Sequence, residues 1–177
     1  MKNLVIITML LLLCAASCKK ENKNEDQLPP ATQTGANTFG CLVNGKVYVP
    51  KGFNGTGTPN PKTQFDIGVN GQPYFNITVS RLSAGNVSEG NLFMSIGNLS
   101  TLGIYNYPAD LNFLFGWNII GDCGIIAFDT TVKKWGLCEI TKYDLNARII
   151  SGKFNLKYKT LSCDTIFITN GRFDFKL

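Results

Sequence analysis

The chain carries 177 residues, 44% hydrophobic and 16% charged, with a formal net charge of +5 and no histidine. That is enough apolar material for one domain, and the missing imidazole excludes Ser-His-Asp and Cys-His nucleophiles and removes the usual ligand of zinc-type sites. Gly, Phe and Asn are frequent, which suits short strands and tight turns better than helices; the cations stand singly rather than in a stripe, so neither a nucleic-acid partner nor a cofactor is expected.

Residues 1–17 open with Lys2, run through the apolar segment Leu4 to Leu13 and close in Ala15-Ala16-Ser17 before Cys18. A cationic start, a short apolar run and a small-residue end form the pattern of a secretory signal peptide. The run is too short to cross a bilayer core of about 30 Å, which takes about 20 helical residues. The small residues ahead of Cys18 resemble the lipobox of bacterial lipoproteins, in which cleavage falls before an acylated cysteine. The resemblance implies lipidation of Cys18 and a membrane as partner; Cys14 fits less well, because bulky Leu13 precedes it. At about 0.8 kcal/mol per buried methylene, two or more acyl chains hold a protein on a membrane without further contacts. Residues 18–37 carry Lys19, Lys20, Glu21, Lys23, Glu25 and Asp26, then Pro29 and Pro30, with no apolar periodicity, and read as a solvated tether.

From Thr38 to Leu177 the pattern is that of a single β-domain with a period of two. Phe65, Ile67 and Val69 alternate with polar residues, and Phe75, Ile77 and Val79 do the same. Asn91 to Ile96 is expected as a strand, since Gly90, Gly97 and Gly103 would each cost about 1 kcal/mol in a helix. Ile150, Gly152, Phe154, Leu156 and Tyr158 point one way and Ser151, Lys153, Asn155, Lys157 and Lys159 the other. In the last segment Phe173, Phe175 and Leu177 turn inward, with Arg172, Asp174 and Lys176 outward. Asn-Gly pairs at 44–45, 54–55, 70–71 and 170–171 supply the positive φ of hairpin turns or bulges. The expected fold class is all-β, an antiparallel β-sandwich or small β-barrel of about nine to ten strands.

Cys41, Cys123, Cys138 and Cys163 remain after processing, and an even count in an exported chain reads as two disulfides. If residues 135–142, 148–159 and 164–170 are successive antiparallel strands, Cys138 and Cys163 flank a common neighbour and lie about 10 Å apart. A bond needs Cα atoms within about 7 Å, which leaves Cys41 with Cys163 plus Cys123 with Cys138, or Cys41 with Cys138 plus Cys123 with Cys163. The glycines at 52, 55 and 57 precede no helix and read as a loop rather than a phosphate cradle. Asp144 and Asn146 lack the remaining ligands of a calcium loop and read as a hairpin turn, and no metal site is expected.

Two sets of residues bear on function. Asp110, Asp122, Asp129, Glu139, Asp144 and Asp164 are the acids that paired-carboxylate hydrolysis could draw on, although most stand beside turn residues and nothing in the sequence pairs them. Trp117, Trp135, Tyr105 and Tyr107 lie near expected turns, where flat rings can stack on sugars and other apolar faces. The phenylalanines read as core.

The segments F-G-C-L-V-N-G-K at 39–46, I-T-K-Y-D-L-N-A-R-I-I-S-G-K-F at 140–154 and C-D-T-I-F-I-T-N-G-R-F-D at 163–174 resemble a group of Bacteroidota lipoproteins with a β-rich domain of unknown function. The resemblance implies an outer-membrane lipoprotein, facing the periplasm or the cell surface, without an assigned activity. The expectation is a non-enzymatic binding module for a glycan, peptide or envelope protein. The alternatives are a carboxylate-dependent hydrolase acting on glycans and a barrel carrying a small apolar ligand.

Overall fold

The computed structural model describes residues 26–52, 59–82, 88–117, 132–159 and 164–177, with only the backbone of 115–117. The described residues form ten strands: β1 Thr38–Val43, β2 Lys46–Tyr48, β3 Lys62–Ile67, β4 Pro73–Leu82, β5 Ser88–Ile96, β6 Gly103–Asn106, β7 Leu111–Trp117, β8 Lys133–Asp144, β9 Ile149–Lys159 and β10 Ile166–Lys176. They form a six-stranded sheet in the order β2-β1-β10-β9-β8-β6 and a four-stranded sheet in the order β3-β4-β5-β7, and every strand pair is antiparallel. Neither sheet closes on itself, so of the two expected architectures the molecule is a β-sandwich.

The period-two pattern dictates this arrangement, because each sheet has one apolar face and the two faces bury each other. Phe75, Ile77 and Val79 of β4 and Leu92, Met94 and Ile96 of β5 face Phe39, Cys41, Phe154, Phe173 and Phe175 of the larger sheet, all buried. The Phe75 ring lies 5.9 Å from Phe173 and 6.1 Å from Phe175, bridging the layers. Tyr48 adds a polar tie: from β2 its hydroxyl reaches Gly90 O at 3.0 Å and Val79 O at 3.3 Å in the opposite sheet. With neither sheet closed, the barrel that would enclose a ligand is not formed by the described residues.

The Asn-Gly pairs divide by context. Asn44 and Gly45, at φ 47° and 80°, make the two-residue hairpin between β1 and β2, and Gly71, at φ 75°, closes the turn between β3 and β4. Asn170, at φ 52°, instead sits in a bulge of β10, where the register with β9 shifts between Ile168 and Gly171. The pair at 54–55 lies outside the described residues. Asp144 closes the β8–β9 hairpin as expected, accepting the Ala147 N–H at 2.9 Å.

Four expectations need correction. Ile67 and Val69 are exposed rather than core, because β3 is an edge strand that ends at Ile67 and Val69 falls in the following turn. Asp174 is buried, although its side of β10 faces outward. What covers it is part of the expected tether: the Thr32 hydroxyl at 2.6 Å and the N–H groups of Gly35 (2.8 Å), Thr34 (2.9 Å) and Ala36 (3.2 Å) all donate to its carboxylate, joined by Ser151 Oγ at 2.7 Å. The folded unit therefore begins at least by Asp26, whose carboxylate meets Arg81 at 2.6 Å, while Pro29 packs over Gly40.

The fourth correction concerns the cysteines. Cys41 and Cys138 are both free thiols, wholly buried in the core. Strands β10 and β9 stand between β1 and β8, which separates the two by about 14 Å at the spacing of neighbouring strands. Each of the two surviving pairings needed both residues bonded, so neither forms. Cys123 and Cys163 lie outside the described residues.

Candidate functional site

Alternation along β8, β9 and β10 sends Cys138, Ile140, Phe154, Leu156, Ile166 and Ile168 into the core and their neighbours to the outer face of the six-stranded sheet. There Trp135 of β8 stands opposite Lys157 of β9, and Lys157 stands opposite Phe167 of β10. Both rings are about half exposed, at 48% for Trp135 and 47% for Phe167. The Lys157 ammonium lies between them, 5.1 Å from the Trp135 ring and 5.3 Å from Phe167, so one cation touches two aromatic faces. Leu137, 40% exposed, extends the apolar strip by one row.

This row floors an open groove of about 400 Å³, whose walls include Asn106, Tyr107, Asn155 and Thr169. Tyr107 is held at the rim by its N–H, which donates to Gly136 O at 3.0 Å, and by an edge-on contact of 5.6 Å with Phe113. Asn155 is oriented by the β10 bulge: its Oδ1 accepts the Asn170 N–H at 3.2 Å. A second depression of about 360 Å³ shares Asn155 and runs on over Lys153 and Arg172 to Ala31. The two depressions adjoin at Asn155, and Ala31 of the N-terminal segment borders the second.

The face is basic. Lys133 stands directly opposite Lys159 at the same end as Trp135, and like charges in register disfavour the folded sheet. Across the middle, Glu139 stands opposite Lys153, and Lys153 opposite Arg172. Arg172 is partly engaged, donating to Asn170 O at 3.2 Å and Pro29 O at 3.3 Å. Asp174 contributes no free charge, since its carboxylate is enclosed. Burial alone would raise its pKa, but the hydrogen bonds from Thr32, Ser151, Thr34 and Gly35 outweigh that and hold it well below the usual carboxylate range.

The remaining expected site residues disperse. Tyr105 is buried, with its hydroxyl donating to Thr101 O at 2.8 Å, so it belongs to the core and not to a stacking surface. Inward alternation on the short strand β6 explains the misplacement: Ile104, on the outward side, is the exposed residue. Trp117 ends β7 opposite Gly90, and its ring lies outside the described residues. Cys18, Asp122 and Asp129 lie outside them as well. The other four acids are dispersed: Asp110 in the β6–β7 turn beside Asn98, Glu139 in the middle of β8, Asp144 at the far end of the same strand where the hairpin begins, and Asp164 exposed ahead of β10. Among the described residues no group of His, Cys, Asp or Glu could hold a metal ion.

The buried thiols have no part in chemistry at this face. Desolvation pushes Cys41 up to about 12, and raises Cys138 as well, with the Glu139 charge adding to it, so both stay protonated at neutral pH. Phe167, expected in the core with the other phenylalanines, stands instead on the outer face. Its signal was present: Ile166 and Ile168 on either side claim the inward positions, and alternation leaves only the outer face. No family model, curated protein or solved structure matches the chain.

Proposed function

We propose that the chain is a non-catalytic binding module of the bacterial envelope, held on the outer membrane by an acylated Cys18 and engaging a glycan, peptide or envelope protein through the outer face of its six-stranded sheet. The observation that supports this most is the row Trp135, Lys157 and Phe167. Two half-exposed rings and a cation on a rigid sheet are costly to leave in water, and such groups are concentrated where proteins meet ligands. The groove has the form of a contact surface rather than a reaction chamber: it is open, its described lining includes no Asp or Glu, and the chain has no imidazole to activate a nucleophile.

The test is retention of purified envelope components on immobilised protein. Wild-type retention is expected to fall at least tenfold when Trp135→Ala is combined with Phe167→Ala, and to be unchanged by Phe93→Ala on the outer face of the opposite sheet. Loss with Phe93→Ala and none with the double variant would refute the assignment of the face. Intact-mass measurement of the membrane-bound chain is expected to find Cys18 at the N-terminus carrying acyl chains.

A further inference from the structure

We infer that the ligand of this face is an acidic polysaccharide, bound with its sugar rings on Trp135 and Phe167 and a carboxylate on Lys157; the inference rests on the binding face proposed above. Trp135 and Phe167 stand two strand spacings apart, about 10 Å. That separation suits two rings of one extended chain, with Lys157 midway between them. Saccharides stack their apolar C–H faces on such rings and need polar groups at the rim, which Asn106, Asn155, Thr169 and Tyr107 provide.

The sign of the ligand follows from which hydrogen-bonding groups the groove offers. Asn155 Oδ1 is already occupied by the Asn170 N–H, so this amide turns its Nδ2 donor end to the ligand. Lys157 Nζ is a pure donor, and among the described residues its contacts are the two rings. Lys133 and Lys159 oppose each other two residues along the strands from Trp135 and Lys157, and among the described residues no carboxylate pairs with either, a repulsion that a bound anion relieves. A donor-rich, cationic floor between stacking rings matches a chain that alternates flat apolar faces with carboxylates. An anionic membrane would satisfy the charges but leave the oriented Asn155 amide without a role, and an acidic peptide would leave the spaced rings without one.

The test uses the full-length protein and two probes of one backbone, an oligogalacturonate and its methyl ester, titrated by intrinsic fluorescence with calorimetry as a second readout. The acid is expected to bind at least tenfold more tightly than the ester, and its affinity should fall as salt rises. Trp135→Ala is expected to weaken both probes at least tenfold, whereas Lys157→Gln should remove the preference for the acid and spare the ester. Equal binding of acid and ester, both lost in Trp135→Ala, would overturn the acidic-ligand inference and leave the binding face standing. Binding indifferent to Trp135→Ala would overturn both. Failure to bind either saccharide, or tighter binding to phosphatidylglycerol vesicles or polyglutamate, would overturn the inference alone, since retention of other envelope components still reports on the face.

Discussion

A methyl group placed on Gly171 would lie 2.4 Å from the Phe154 ring, and one on Gly152 would lie 2.6 Å from Phe173 and 2.8 Å from Glu139 O. These are register partners, Gly171 with Phe154 and Gly152 with Phe173, so β9 and β10 each lay a ring flat across a glycine of the other. Gly171→Ala is therefore expected to destabilise the domain by about 2 kcal/mol through overpacking, read as a lower urea midpoint, with no change in the slope of the transition. The thiols yield a second prediction. With Cys41 and Cys138 buried and protonated, an alkylating reagent at pH 8 should leave both unlabelled in the native protein and label both after unfolding. Rapid native labelling, or a disulfide to either, would contradict the burial. Much at this level could be read in advance: alternation placed Phe75, Ile77, Val79, Phe154 and Phe173 in the core. It failed where an outward position is covered by a segment far away in sequence, as at Asp174, because a period of two reports which side of a sheet a residue takes and not what lies over that side.

The N-terminal segment is the element whose role was hidden by its composition. Residues 26–37 carry charge, Pro and Gly and no apolar period, yet they enclose the Asp174 carboxylate and seat Pro29 on Gly40. Their partners are backbone N–H groups converging on one carboxylate, an arrangement that leaves no hydropathy signal. Asp174→Asn is expected to cost about 2 kcal/mol at pH 7, since it removes the charge from hydrogen bonds worth roughly 1.5–3 kcal/mol each before solvent competition. The pH dependence has a definite sign. The folded pKa lies below the ordinary value of about 3.9, so the stabilisation is complete above about pH 4 and is lost as pH falls from there towards the lower folded value. The gap between wild type and Asp174→Asn in urea titrations should accordingly be smaller at pH 3 than at pH 7. An equal or larger gap at pH 3 would assign the loss to packing instead. If Cys18 is acylated as proposed, only residues 19–25 separate it from Asp26, a reach of at most about 30 Å fully extended, and the domain would work close to its membrane.

The two sheets bury a core rich in aromatic rings between them, and their outer faces can vary without disturbing that packing. All-β architecture with one apolar face per strand followed from periodicity alone, and the two open sheets then decided for a sandwich over a barrel. The proposed binding face was only partly foreseeable. Trp135 could be picked out as a ring near a turn, but Lys157 and Phe167 lie more than twenty residues away and meet it only through the register of β8, β9 and β10. Charge on this face also trades stability for affinity: Lys159→Glu should relieve the repulsion with Lys133 and raise the urea midpoint slightly, while weakening capture of an anionic ligand. In vivo photo-crosslinking decides whether the face is used. With a photoreactive residue at Leu137, inside the groove, irradiation of intact cells should yield a discrete adduct that Trp135→Ala diminishes, and the same residue at Asn91, on the outer face of the smaller sheet, should yield none. Adducts at position 91 with none at 137 would contradict the proposal that the Trp135 face is where this protein meets its ligand.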